Sequence, residues 1–248
     1  MHPIENIFQT IFSHLLPSAC IVCGAFQQHT LCIDCSLLLE SEQLLNYECC
    51  QQCGLTLVVD ELKEKRCRAC STNPPDFDET HCLDRYDGRL QSALHQLKYQ
   101  RRLACGHGLA SAWNQMMSGS LMNSQANYLL PVPLSSEKLC ARGFNQSWEL
   151  ARRIDCDKHI HKNPHILRRH HHVQHQAQEN RANRQIAIQG MFYINPQYQD
   201  CLESASVIVF DDVMTSGATL NEIARVLKDN GVSRVINWVL LRTLYPSS

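Results

Sequence analysis

The stretch from Val207 to Leu241 constrains the fold more than any other part of this chain. Val207-Ile208-Val209-Phe210 has the length and β-branched content of a buried strand, and the helical pattern from Asn221 to Lys228 stops at Gly231. A further apolar run follows, so the spacing predicts strand 206–210, helix 219–230 and strand 234–241, a unit of the length that joins parallel strands. Between the first strand and the helix lies Asp211-Asp212-Val213-Met214-Thr215-Ser216-Gly217-Ala218-Thr219. Free N–H groups at a helix start point into such a loop and make an anion cradle. Thr215, Ser216 and Thr219 add hydroxyl donors, and Gly217 lets the backbone approach closely. Two adjacent carboxylates do not suit a phosphate. They suit sugar hydroxyls beside one, held directly or through Mg²⁺, so the loop reads as a pocket for a ribose 5-phosphate. A Walker loop is excluded because no Gly-Lys-Ser/Thr is present. On a purely structural reading, Asp211 and Asp212 merely end a strand, and Thr219 with Glu222 forms a capping box.

The fourteen cysteines impose a second constraint, since ten of them precede residue 83. Eight form the Cys-x-x-Cys pairs Cys20/Cys23, Cys32/Cys35, Cys50/Cys53 and Cys67/Cys70. One such pair places two thiolates on a Zn²⁺ ion, and two pairs complete a tetrahedral site without an open position, so a structural role is expected. The segment repeats itself, and in each half a glycine (Gly24, Gly54) follows the first pair, where a knuckle turn wants positive φ. The pairs can close sequentially or interleave, giving two sites or one. A disulfide framework is the rival reading, but it suits small secreted domains. The start of the chain imitates a lipoprotein signal, Ile11 to Leu16 before Cys20, yet it lacks a basic region and carries Glu5, so no export is expected. About 60 residues bury too little core to fold alone, and metal would supply the missing stability. Asn73-Pro74-Pro75-Asp76 reads as a linker. The expected organisation is therefore a zinc-binding module over residues 1–75, with its repeat from about 20 to 70, and an α/β domain over 76–248.

In the second part, strand and helix patterns alternate: a strand at His81 to Tyr86, helices at Arg89 to Tyr99, Leu103 to Met117 and Asn145 to Ile154, and a short strand at Tyr128 to Val132. Ligands in such open sheets sit outside the carboxyl ends of the strands, where Asp211 to Thr219 falls. That loop resembles the phosphoribosyl pyrophosphate (PRPP) motif of type I phosphoribosyltransferases. Further blocks, Leu97-Lys98-Tyr99, Val132-Pro133-Leu134, Arg142-Gly143-Phe144-Asn145-Gln146 and Phe210-Asp211-Asp212-Val213, follow the cysteine pairs. In this order and over nearly the whole chain they resemble the ComF family of competence proteins. One block departs from the family pattern: the chain carries Val173, Gln176, Glu179, Arg184 and Ala187 where a Thr, Gln, Leu, Arg and Asn are usual.

The resemblance implies a type I phosphoribosyltransferase-like parallel sheet behind a cysteine-rich zinc module. It also implies a cytoplasmic protein that handles incoming single-stranded DNA, with PRPP and Mg²⁺ in the pocket and proteins of the DNA-uptake machinery as partners. Ten Lys or Arg residues lie between Lys138 and Arg184, and Lys98, Arg101 and Arg102 make a second cluster, against a net charge of −1 for the chain. Lys98, Arg101, Arg102, Arg142, Arg168, Arg169, Arg181 and Arg184 are the candidates for nucleic acid or for the pyrophosphate of PRPP, with Tyr99, Phe144 or Trp148 as stacking platforms. Seven histidines between His159 and His175 read as an exposed loop in the place of a lid. No apolar run reaches the roughly 18 residues of a spanning helix, so membrane insertion is not expected. The other function class is an active phosphoribosyltransferase. No general acid or base and no base-recognition element stands out to support it.

Overall fold

The computed structural model describes residues 18–42, 44, 47–121, 125–170 and 188–244. Its core is a five-stranded, all-parallel sheet of β3 (Glu79–Arg85), β4 (Tyr128–Pro131), β5 (His161–Lys162), β8 (Ser206–Met214) and β9 (Arg234–Arg242), in the order β3-β9-β8-β4-β5. Side chains alternate along the central strand. Ile208 and Phe210 join one apolar cluster with Leu109 and Trp113, while Val207 and Val209 join another with Ile223 and Leu227. Both faces are therefore covered, as an all-parallel sheet requires.

The first face carries α3 (Gln91–Gln100), α4 (Leu103–Leu121) and α6 (Gln146–Ala151). In α3, Ala93, Leu94 and Leu97 are buried with the preceding Leu90, the face expected from their spacing. The second face carries α7 (Ala218–Asp229) and the antiparallel hairpin of β6 (Leu167–Arg169) and β7 (Phe192–Ile194). The short helix α5 (Ser136–Arg142), capped by Ser135, and the β6–β7 hairpin were not legible in the sequence. The expected strand 206–210 runs on to Met214, so both motif carboxylates lie inside the sheet rather than beyond it.

Strand order creates the site. From β4 the chain passes through α5 and α6 to the edge strand β5, whereas from β8 it passes through α7 to β9 on the other side. Adjacent strands β4 and β8 thus send their connections in opposite directions, and their carboxyl ends mark the switch point at which open sheets of this kind form a ligand crevice. The 132–146 segment and the 215–217 loop flank that crevice.

The cysteine-rich segment closes around the β3 edge. Its first part, with β1 (Ser18–Ala19), β2 (Phe26–Gln27) and α1 (Ile33–Glu42), places Cys20, Ile21, Leu31, Cys35 and Leu39 in the first-face cluster. Its second part, ending in α2 (Arg68–Thr72), places Leu44, Cys50, Cys53, Cys67 and Cys70 in the second-face cluster. Residues on either side of the sheet are thus covered by opposite halves of one repeat. Ile21 seats directly on Gly108 in α4, where an added methyl would run into Ile21 and come within 3.2 Å of Thr30 Cβ. Alanine normally favours a helix interior over glycine, but here overpacking dominates. Gly108→Ala should therefore destabilise the protein by about 1–3 kcal/mol in denaturant titrations. A stabilised variant would mean that the first cysteine half does not pack on α4.

Candidate functional site

Both knuckles are built alike. In the first, Gly24 N–H donates to Cys20 O (2.9 Å) and Cys20 N–H to Ala25 O (2.9 Å); in the second, Gly54 N–H donates to Cys50 O (2.8 Å) and Cys50 N–H to Leu55 O (2.7 Å). Gly24 and Gly54 have φ of +76° and +70°, as the knuckle turn demands. The pairs close sequentially: Cys20, Cys23, Cys32 and Cys35 form one group and Cys50, Cys53, Cys67 and Cys70 the other, each with its thiols within 4.8 Å of one another. Contacts of 3.8 Å between Cys23 and Cys32 Sγ and 3.6 Å between Cys53 and Cys67 Sγ match the roughly 3.8 Å edge of a tetrahedron with Zn–S bonds of about 2.3 Å. None of the fourteen cysteines is in a disulfide. Each group can therefore hold one tetrahedral zinc ion. Cys49, beside Cys50, belongs to neither group.

At the crevice, Asp211 and Asp212 are buried, at 9% and 4% exposure. Asp212 Oδ1 accepts from Gln146 Nε2 (3.2 Å), and its Oδ2 faces the Lys98 ammonium as an ion pair with no other polar partner among the described residues. Asp211 Oδ1 accepts from the Asp212 N–H (2.9 Å) and, at 3.4 Å, from Ser147 Oγ. Burial pushes the Asp211 carboxyl well above the ordinary carboxylate range; the Asp212 charge adds to the rise and Lys98 opposes it.

Behind this pair the other sequence blocks converge. Arg142 Nη1 donates to Gln146 Oε1 (2.7 Å), and the Arg142 guanidinium lies 5.5 Å from the Tyr99 ring centroid. Asn145 caps α6 and donates from Nδ2 to Val132 O (3.0 Å). Arg101, in the left-handed region at φ +55°, ends α3 and donates to Ala141 O (2.7 Å). A left-handed arginine is strained, and such strain concentrates at functional sites. Arg102 bonds Gln96 (2.9 Å) on the same face. Among the aromatic candidates, Tyr99 is 63% exposed and its ring lies tilted against His95 at a centroid distance of 4.4 Å, whereas Phe144 and Trp148 pack against the core.

The loop after β8 leaves Thr215 and Ser216 exposed. Gly217, at φ +82°, is the N-cap of α7 and has no side chain to cap it, which leaves first-turn amides available to an anion. Ser216 Oγ accepts from Ala218 N–H (3.4 Å). Thr219 is not the cap, and Glu222 instead accepts from Gly190 N–H (2.7 Å) and pairs with Arg225, so the capping box does not form. Arg168 and Arg169 sit on the β6–β7 hairpin over the opposite face from α3, with Arg169 5.7 Å from the Phe192 ring centroid. The basic candidates therefore form two groups, with Arg142 joining Lys98, Arg101 and Arg102 rather than Arg168 and Arg169. Arg181, Arg184 and the divergent block at 173–187 lie outside the described residues.

Sequence reasoning missed Gln146 and Ser147 as partners of the carboxylates, and Arg242. A buried acid pair demands donors, so the polar start of α6 was the available signal. Arg242, ending an apolar strand, carried a similar one.

Two predictions follow from the burial. Lys98→Met leaves the Asp212 charge without its cation and should cost about 3–5 kcal/mol of stability, most of it recovered when Asp212→Leu is added. A cost below about 1 kcal/mol in denaturant titrations would show that the pair is solvated. Folded Asp211 keeps its proton to a higher pH than the unfolded chain does, so its contribution to stability is lost as pH rises through the folded pKa. The stability of Asp211→Asn relative to the parent should thus grow from about pH 4 towards neutrality. A difference independent of pH would contradict a buried carboxyl at 211.

No family model matches the chain. It is similar to the DNA utilization protein YhgH of Escherichia coli K12, at 26% identity over 239 residues, covering 92% of this chain and 99% of that one. Competence protein F of Haemophilus influenzae is 24% identical over 90% of this chain and 96% of its own, and competence protein ComFC of Bacillus subtilis 23% over 90% and 95%. Among solved structures, a hypoxanthine phosphoribosyltransferase from Staphylococcus aureus overlaps 55% of this chain and 62% of its own at 15% identity and a TM-score of 0.32. Over about nine-tenths of its length, the chain is similar to proteins named for competence and DNA utilization.

Proposed function

We propose that this protein handles single-stranded DNA in the cytoplasm during natural transformation, using a pocket at the β4–β8 crevice that takes PRPP, with its Mg²⁺, or a related ribose phosphate. The observation that carries the reading is the convergence of Lys98 and of Gln146, itself held by Arg142, on the Asp211–Asp212 pair, a few residues before the Gly217 start of α7. The phosphate end would lie on Thr215 to Thr219, and the ribose hydroxyls would exchange for the Lys98 and Gln146 contacts at the carboxylates. Similarity to proteins named for DNA utilization and competence supports the DNA half of the proposal. So does the exposed Tyr99, flanked by Arg142, Arg101 and Arg102, since stacking on a ring beside cations is how single strands are held. No described helix is long and apolar enough to cross a membrane.

In this reading residues 1–75 form a structural zinc module, with one zinc on each four-cysteine group, and 76–248 the ribose-phosphate domain. Proteins of the DNA-uptake machinery are the expected partners. A transferase reading has one observation in its favour, the buried Asp211 carboxyl, which would hold a proton beside the pocket.

Calorimetry with PRPP and Mg²⁺ tests the pocket. Asp211→Ala with Asp212→Ala should lose binding while keeping the fold, and unchanged affinity would remove the sugar role. Tyr99→Ala should weaken binding of labelled single-stranded DNA by about 1–3 kcal/mol, and neutralising Arg101, Arg102 and Arg142 should flatten its salt dependence. An unmoved salt slope places the DNA surface elsewhere. Pyrophosphate release from PRPP in the presence of an acceptor base would favour the transferase.

A further inference from the structure

Arg242 ends β9 in register with Met214 of β8 and is only 3% exposed. Its Nε donates to the carbonyl of Cys53 (3.0 Å). Nη1 donates to Met214 O (3.0 Å) and Thr243 O (2.9 Å), and also meets Thr215 O. One buried guanidinium thus joins the second cysteine knuckle to the backbone at the start of the 215–217 loop. A buried charge tolerates little loss of such partners, because each acceptor withdrawn leaves part of its desolvation uncompensated. A tetrathiolate zinc centre carries two net negative charges, so a cation on the Cys53 carbonyl also suits a loaded second centre.

A second route runs beside the first. Gln52, inside the same knuckle, donates from Nε2 to Pro75 O (3.1 Å) and Phe77 O (3.0 Å), and its main-chain carbonyl accepts from Thr80 Oγ1 (2.6 Å). The Phe77 ring reaches to 3.9 Å from the Cβ position of Gly217, the glycine that opens α7. By contrast, the first four-cysteine group packs against α4 on the other face of the sheet.

We propose that Arg242 is a positioning residue that couples metal loading of the Cys50/Cys53/Cys67/Cys70 centre to the shape of the 214–217 loop, so that the pocket is formed only when that centre is filled. The identity of the pocket's ligand rests on the function proposed above; the coupling does not. Without metal, the Cys50–Cys53 turn is no longer fixed by its thiols and the Cys53 carbonyl moves. Arg242 follows its acceptor, and the loop loses the donor on its Thr215 carbonyl, while Met214 O keeps only the Thr243 N–H.

Hydrogen–deuterium exchange of the full chain, with zinc content measured in parallel, tests this without any ligand. Amides 214–220 should exchange at least tenfold faster in zinc-loaded Arg242→Lys, which keeps the charge but loses the fork, and in Cys70→Ser, which disables the second centre. Cys23→Ser, which disables the first, should leave them at the parent rate. Parent-like exchange in zinc-loaded Arg242→Lys overturns the proposal, as does an equal rise in Cys23→Ser. Should Arg242→Lys fail to fold, the parent alone decides. Linkage requires PRPP with Mg²⁺ to slow chelator extraction of one of two zinc equivalents, and slowing of both alike would overturn the coupling. A parent that binds no PRPP would remove the pocket reading, leaving the exchange comparison of the parent with Cys70→Ser and Cys23→Ser to settle the coupling.

Discussion

Burying two adjacent carboxylates at the end of the central strand is the constraint on which this structure depends. Each ionised carboxylate taken out of water costs several kcal/mol unless cations and donors meet it. Asp211 and Asp212 lie inside β8, so apart from the Asp212 N–H their partners come from other elements. Lys98 arrives from the last turn of α3, and Gln146 and Ser147 from the first turn of α6. Gln146 is itself held by Arg142, which lies against Tyr99. Segments far apart in sequence are thereby drawn to one point. The short blocks 97–99, 132–134 and 142–146 are parts of a single arrangement around the acid pair rather than independent motifs.

The cysteine-rich segment meets a different requirement, the protection of an edge. β3 is an outer strand with one side unpaired by the sheet, and such edges invite association unless covered. Here the Thr80 N–H donates to Gln51 O (2.9 Å), so the second knuckle takes a backbone donor of that edge. The two halves of the repeat then close over opposite faces, burying Leu39 on one side and Leu44 on the other. A segment too short to build its own core borrows the core of the sheet. Metal has only to fix the turns that present these residues.

Much of this was legible because the signals were local. The strand, loop and helix from Val207 to Asp229, the buried face of α3 and the positive φ at Gly24 and Gly54 all follow from spacing within a few residues. Sequential closure of the cysteine pairs was not legible, since ligand spacing within each pair is the same in either arrangement. The β6–β7 hairpin escaped notice because its strands are only three residues long and pair across a gap of more than twenty residues. The roles of Gln146 and Arg242 were hidden for the same physical reason: each is defined by partners more than 25 residues away, and no periodicity encodes that.

Three unfavourable features meet at one end of the sheet. A buried carboxyl held far above its ordinary pKa, a left-handed arginine and an uncapped helix start all gather at the carboxyl ends of β4 and β8. Each lowers the stability of the ligand-free protein. Earlier in β8, Val207 to Phe210 form an apolar run that is fully covered. Costs of this kind persist where a bound molecule offsets them, by donating to the carboxyls and accepting from the free amides. A molecule with hydroxyls a few ångströms from a phosphate does both at once. A simple phosphate would satisfy the amides and repel the acids, and for that reason the acid pair supports the sugar phosphate proposed above more strongly than the loop alone does.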